Sequence, residues 1–430
     1  MAKTGNLEFD ELYRICRSFF SRLKDPRSRN ASIGLADYFL SAMAIFQLKY
    51  PSLLALDKGR TKAEEKNLFG VFGIGKIPSD TAMRETLDEI SPDQLDPLYG
   101  AIFDRLGLNG SLNKFTVLGG YLLTAMDGVE FFSSTKVHCD CCQVRKGRGE
   151  EAPKHYAHSM LAAVVVKPGV KTVLPMGCEP ISRKDGSSKN DHELNAGKRL
   201  WAKLWERHKG LKILHSGDAL YANGPMAREI IGAGQHFLLN VKPDSHIALF
   251  EHFNKRRSAY KSLEVVQGKE QWRLFWHNNL ALNDSAGDVR VNFLLLQVKD
   301  GQGKAKTFSW VTNIEIDKKN VVEMAFCGRA RWKIENETFN TLKNQGYNFE
   351  HNYGHGQKNL SNLLAVIMML VFLIDQIQEL GNLKFTRILE ATKTKKRLWD
   401  EFRAVFRFIE LKSFDDWLFQ LAKGHSISGA

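Results

Sequence analysis

Glu335 follows Arg331 by four positions within the stretch CGRARWKIENETFNTLK, residues 327–343. Trp332, Ile334, Phe339 and Leu342 give the stretch an amphipathic helical pattern, so Arg331 and Glu335 share one helical face. Such a pair is most often a solvated salt bridge. It gains a chemical role if Glu335 joins other carboxylates at a metal and Arg331 is left to meet a phosphate. Two partner carboxylates lie upstream. Asp127 follows the apolar run LGGYLLTAM, and Asp218 lies just beyond the short run Leu211–Leu214 in LKILHSGDALY. Hard divalent cations take oxygen ligands, and a two-metal site gathers carboxylates from distant segments. An Asp at a strand exit is by itself ordinary turn chemistry, so the combination matters more than any member. Glu337 is a second, lesser candidate for the helical carboxylate.

A second group of metal-binding side chains is Cys139, Cys142, His155 and His158, spaced Cys-x2-Cys-x12-His-x2-His. This is near zinc-site spacing, with a shorter interval between the histidines than usual, and makes a structural zinc the second cofactor to look for. Cys141 and His138 are alternative ligands. The competing reading takes VRKGRGEEAPK as a flexible basic hairpin loop. Further on, HNYGHGQKNLSN carries His351, His355 and Lys358 just after the Arg-Glu helix. Its glycines suit either a loop that approaches a phosphate backbone or a plain helix connector. No Walker loop, HExxH or nucleophile elbow is present, so ATP-driven, zinc-protease and hydrolase chemistry have no support.

The elements that must position these residues fall into five stretches. Residues 1–112 read as a separate helical unit: LEFDELYRICRSFF and LADYFLSAMAIFQLKY have helical apolar periods, and SDTAMRE and SPDQL place Ser at helix starts. The basic cluster RLKDPRSR lies between them. Residues 113–244 begin with three strands, YLLTAMDGVEFF, YAHSMLAAVVVKPG and KTVLPMGCEPI. A helix over KNDHELNAGKRLWAKLWERH, the strand LKILHSG, the helix GPMAREIIGAG and the strand QHFLLNVKP follow. Residues 245–319 read as strands of a second sheet, residues 320–380 as helices, and residues 381–430 as a basic helical tail. The fold class is therefore α/β, a mixed sheet flanked by helices with a β-rich insertion.

Lys and Arg number 61 against 48 Asp and Glu, a net charge of +13, which favours a polyanionic partner. MAKTGNLEFDELYR has no apolar core segment, so no secretory leader is expected. The run Leu363–Ile374 is short for a membrane span and reads as a buried core helix. Six cysteines in 430 residues do not make a disulfide scaffold, which points to a reducing cytoplasm.

Taken with their neighbours, these residues resemble the DDE transposases of bacterial insertion sequences, whose catalytic core is RNase H-like. The nearest group is the hairpin-forming, cut-and-paste type with a β insertion before the last acidic residue. The resemblance rests on Asp127 in MDGVEF, Asp218 in HSGDALY, Trp310 in SWVTN, and Arg331, Trp332, Ile334 and Glu335 in RARWKIENETFNTLK, and covers roughly residues 115 to 375. It implies that Asp127, Asp218 and Glu335 hold two Mg²⁺ or Mn²⁺ ions, about 3.5–4 Å apart, for phosphoryl transfer on DNA. It also implies that Arg331 and Lys343 contact DNA phosphates and that Trp310 stacks on a flipped base. The implied partners are double-stranded DNA, as element ends and target, and a second copy of the chain in a homodimer. The implied setting is the bacterial cytoplasm or nucleoid, away from membranes, with the N-terminal helices contacting the element end. Two departures from the family pattern stand out. Gly328 occupies the place of a Tyr seven residues before the Glu, and Lys343 follows Glu335 by eight residues where seven is usual. The other readings are a non-catalytic DNA-binding protein derived from such an element and an RNase H-like nuclease without strand transfer.

Overall fold

The structure, a computed structural model, describes residues 6–27, 31–58, 60–146, 153–186, 188–255 and 259–427. Ser28 and Arg29 of the basic cluster, and residues 147–152 of the expected hairpin loop, lie outside the described residues.

The N-terminal part is helical: α1 (Phe9–Phe20), α2 (Leu35–Gln47), α3 (Leu53–Asp57), α4 (Lys62–Gly70), α5 (Asp80–Asp88) and α6 (Asp96–Leu108). Local chemistry sets several of these starts. Ser79 accepts from the Ala82 amide ahead of α5, and Thr61 and Glu64 form a reciprocal capping box at α4. The chain then enters a sheet through β1 (Thr116–Val117) and β2 (Tyr121–Ser134), followed by β3 (Gln143–Lys146), β4 (Lys154–Val165) and β5 (Leu174–Ile181). Helix α7 (Lys189–Arg207) leads to β6 (Ile213–Gly217), and α8 (Gly224–Gly232) leads to β7 (His236–Asn240).

β4 pairs antiparallel with both β2 and β5, while β2 runs parallel to β6 and β6 parallel to β7. The order β5-β4-β2-β6-β7 is the RNase H-like sheet expected from the succession of strands and helices. Strands buried on both faces need near-continuous apolar runs, and β4 supplies one from Met160 to Val165.

After α9 (Ile247–Lys255) come β8 (Lys261–Gln267), β9 (Glu270–Ala281), β10 (Arg290–Lys299) and β11 (Ala305–Thr312). These strands were expected to form a second sheet, and the structure corrects this. β11 pairs antiparallel with β7 through Trp310↔Asn240, Val311↔Leu239 and Thr312↔Leu238, so the insertion extends the first sheet to eleven strands. The free edge of β7 offers unpaired backbone groups, and β11 satisfies them.

Helix α10 (Val321–Ala330), a π-helical turn (Ile334–Phe339) and α11 (Asn340–Asn344) precede α12 (Leu360–Gly381). α12 is long and apolar enough to cross a membrane, but 94% of its most apolar window is buried inside the protein, as expected of a core helix. It packs on α2 and α5, and the terminal helices α13 (Leu383–Thr392), α14 (Lys395–Phe408) and α15 (Phe414–Gly424) close around the same core. Asn67 of α4 ties the two ends of the chain together. Its amide donates to the Phe406 and Ile409 carbonyls, and its carbonyl accepts from the Leu411 amide, each at 2.7 Å. The N-terminal helices, read as a separate unit, therefore share one hydrophobic core with the rest of the chain.

Candidate active site

Parallel pairing of β2 with β6 runs from Leu122↔Ile213 to Ala125↔Ser216, a constant offset of 91 positions. Asp127 and Asp218 each lie two residues beyond the last paired position, Ala125↔Ser216. Asp218 sits just past the end of β6, where its carboxylate accepts from the Leu220 amide at 2.9 Å. The two aspartates line one cleft together with Glu130, Arg145 and Lys189.

The third segment arrives from the helical side. Arg331 donates to Asp127 Oδ2 and to Glu335 Oε1, each at 2.8 Å, and thereby joins the strand carboxylate to the helical one. It is Glu335, not Glu337, that makes this contact. The helix expected over 327–343 is interrupted here. The Trp332 carbonyl accepts from both the Glu335 and Asn336 amides, and the turn that follows is π-helical, a feature common at functional sites. Burial pushes the Asp127 carboxyl up to about 7; Arg331 pulls the other way, and the Glu335 carboxylate adds to the rise. Burial alone would weaken the hold of Arg331 on its proton, yet Asp127 and Glu335 raise its pKa above the ordinary value. Two carboxylates share one cation, and Asp127 gains more from being neutralised than an exposed carboxylate would.

A further carboxylate, missed in the sequence, lines the cleft. Glu193 of α7 leans over Gly128, where a Cβ would lie 3.4 Å from its Cδ, and it accepts from the Tyr221 hydroxyl at 3.1 Å. Burial and the neighbouring Asp218 both raise its pKa. The signal was present: Glu193, Gly197, Leu200 and Leu204 form one helical stripe whose other members are buried. A carboxylate at the head of a buried stripe needs a reason, and the cleft supplies it. On the resemblance described above, Glu193→Gln is expected to slow DNA nicking about ten- to hundredfold, as does the loss of a partner beside the implied metal ligands. Initial nicking rates on a labelled duplex measure this.

Two expectations about DNA contacts change or narrow. Trp310, read as a base-stacking residue, is 1% exposed inside β11, so it belongs to the core and not to a DNA-facing surface. It packs against α10 at Gly328, where a Cβ would fall 2.3 Å from Cε2 of the indole. Trp310 thus occupies the space that the family's Tyr would need, and the glycine is its counterpart. Trp332, 46% exposed and adjacent to Arg331, is the aromatic that faces solvent. Lys343, on α11, is half-buried and pairs with Glu350 at 2.6 Å. Gly328→Ala is expected to cost about 1–3 kcal/mol from overpacking. Adding Trp310→Leu should recover part of that loss in urea denaturation.

The sulfur and imidazole group also differs from its expected membership. Cys139, Cys142 and His158 converge, but His155 is exposed on β4 opposite Arg145. His355, from the loop before α12, takes its place. The alternative ligands lie elsewhere: the Cys141 thiol donates to the Lys358 carbonyl at 2.8 Å, and His138 is exposed against Tyr156.

Residues 148–373, more than half of the chain, match the family model described as the transposase DDE domain. The matched span contains Asp218 and Glu335 and begins after Asp127. No curated protein matches the chain.

Proposed function

The chain belongs to the family of transposases with a DDE domain, and we propose from this premise that it cuts and joins DNA ends at the cleft of Asp127, Asp218, Glu193 and Glu335. The observation that carries the reading is the pairing of Arg331 with both Asp127 and Glu335, beside a cleft that Asp127 and Asp218 line together. β2 brings Asp127, the end of β6 brings Asp218, and the π-helical turn brings Glu335.

The donor set is all oxygen and partly buried, which fits hard divalent cations and not zinc. Mg²⁺ or Mn²⁺ held by Asp127, Asp218 and Glu335 would activate the attacking oxygen and steady the leaving oxygen. The protein's own groups do the positioning. Arg331 already gathers Asp127 and Glu335, and its remaining N–H donors suit a scissile phosphate. Glu193 and Tyr221 brace the Asp218 side of the cleft. Trp332 offers a solvent-facing ring beside the arginine, on which a base can stack.

Two exchanges follow. Water attacks the phosphodiester at the element end, and the bond that breaks leaves a free 3′-OH. That hydroxyl then attacks a phosphodiester of the opposite strand or of target DNA, exchanging one P–O bond for another. Neither exchange needs a covalent enzyme intermediate or ATP. Two ends must be held together for joining, so a homodimer on DNA is part of the proposal.

The test uses labelled duplexes carrying the element's flanking ends, with Mg²⁺, and compares wild type, Glu335→Ala and Glu337→Ala. Cleavage and joined products are expected from wild type and Glu337→Ala but not from Glu335→Ala. Cleavage by wild type without joined product would instead identify a nuclease. Binding with no cleavage by wild type would identify a non-catalytic DNA-binding protein.

A further inference from the structure

Outside the carboxylate cleft, Cys139 Sγ, Cys142 Sγ, His158 Nε2 and His355 Nε2 converge in the interior. All four residues are at least nine-tenths buried, and their ligand atoms lie within 4.8 Å of one another. The separations are informative. His158 Nε2 is 3.4 Å from each sulfur, His355 Nε2 is 3.5 Å from Cys142 Sγ, and the sulfurs are 3.9 Å apart. A tetrahedral zinc with ordinary Zn–S and Zn–N bonds has edges of about 3.8 Å between sulfurs and about 3.6 Å between sulfur and nitrogen. A disulfide would require about 2.05 Å between the sulfurs. The orientation of His158 is also set from behind, since its Nδ1 faces Asn362 Oδ1 at 2.9 Å. With the proton on Nδ1, Nε2 is free to ligate, the usual arrangement behind a metal-bound histidine.

We infer that Cys139, Cys142, His158 and His355 form a structural zinc site that fastens the loop before α12 to the hairpin extending from the strand of Asp127. Two thiolates and two neutral imidazoles balance the charge of Zn²⁺, so the buried site is neutral overall. Four protein ligands leave no open position, which makes the role structural. The sulfur and nitrogen donors also separate this site from the oxygen-only cleft, so the two select different metals. Its position gives it a task. The cysteines lie in the turn after β2, and His355 lies in the chain between the turn of Glu335 and α12. The same loop is held from the other side by Asp88 at the end of α5, whose carboxylate accepts from the amides of Gln357, Lys358, Asn359 and Leu360. Zinc and Asp88 together clamp the segment that joins the Glu335 turn to the core helix.

The full chain, purified under reducing conditions without a polyhistidine tag, tests this by elemental analysis. One zinc per chain is expected in wild type and in His155→Ala, with the content falling to a small fraction in His355→Ala and Cys142→Ser. Cobalt exchanged into wild type should show the spectrum of a tetrahedral thiolate site, a readout that needs no variant to fold. Wild type that takes up no zinc from added Zn²⁺ would overturn the site. So would zinc retained by His355→Ala but lost from His155→Ala, or an octahedral cobalt spectrum.

Discussion

Replacing Asp127 or Glu335 by alanine is expected to reduce cleavage of element-end DNA by about a thousandfold or more, since each removes a ligand of the proposed metal centre. DNA binding should stay within a few-fold of wild type, because phosphate contacts by basic residues dominate that affinity. The two variants should also be far from additive. Arg331 binds both carboxylates, so losing either one releases the arginine and disturbs the other. Groups that act as one unit lose nearly all of their effect with the first deletion. The double variant is therefore expected to be barely slower than either single variant. A gel-shift assay and a nicking assay on the same duplex separate the outcomes. A single variant that cleaves at near the wild-type rate would remove its residue from the site, while a parallel loss of binding would point to misfolding.

Much of this site was legible because its parts carry local signals. Asp127 follows an apolar run within β2, Asp218 follows the apolar strand β6, and Arg331 and Glu335 share one helical face. What escaped was non-local or was overridden by packing. His155 and His158 looked like paired ligands by spacing, yet residues three apart on a strand point to opposite faces, so only one can enter a cluster. The fourth ligand, His355, comes from a loop nearly two hundred residues further along. Resemblance puts Trp310 at a DNA-facing surface, whereas its ring fills the space between β11 and α10 that the glycine at position 328 leaves open. The insertion read as a second sheet because nothing local announces that β11 will complete the edge of β7. Glu193 stands at the head of an apolar helical stripe, and the partner that gives the acid its place, Asp218, comes from a distant segment.

The ion pair between Asp375 and Lys49 shows why the N-terminal helices are not independent, and it carries the largest stability prediction. Asp375, 2% exposed on α12, accepts from Lys49 Nζ at 2.8 Å and also from the Gln47 amide and the Tyr347 hydroxyl. The ammonium lies over the rings of Tyr347 and Trp399, 4.0 and 4.1 Å from their centroids. Lys49 adopts a left-handed backbone, φ 54°, at the end of α2, a conformation that a lysine keeps only when its surroundings fix it. Asp375→Ala leaves that charge buried with two aromatic faces and the Gln47 carbonyl, 3.4 Å away, and is expected to cost about 3–5 kcal/mol at neutral pH. Replacing both partners with apolar residues, Asp375→Leu with Lys49→Met, should recover most of the loss. Burial already pushes Lys49 down to about 8 from its ordinary 10.5, with Asp375 opposing the fall. Between those two values the unfolded chain binds the proton that the folded chain has lost, so this residue's contribution to stability rises with pH across that window. In Asp375→Ala the folded value falls further and the window widens downward, so the deficit against wild type should shrink as pH rises towards 8 and stay level above it. Urea denaturation at neutral and at alkaline pH measures this directly, and a deficit that does not change with pH would assign the loss to packing around α12 and not to the buried charge.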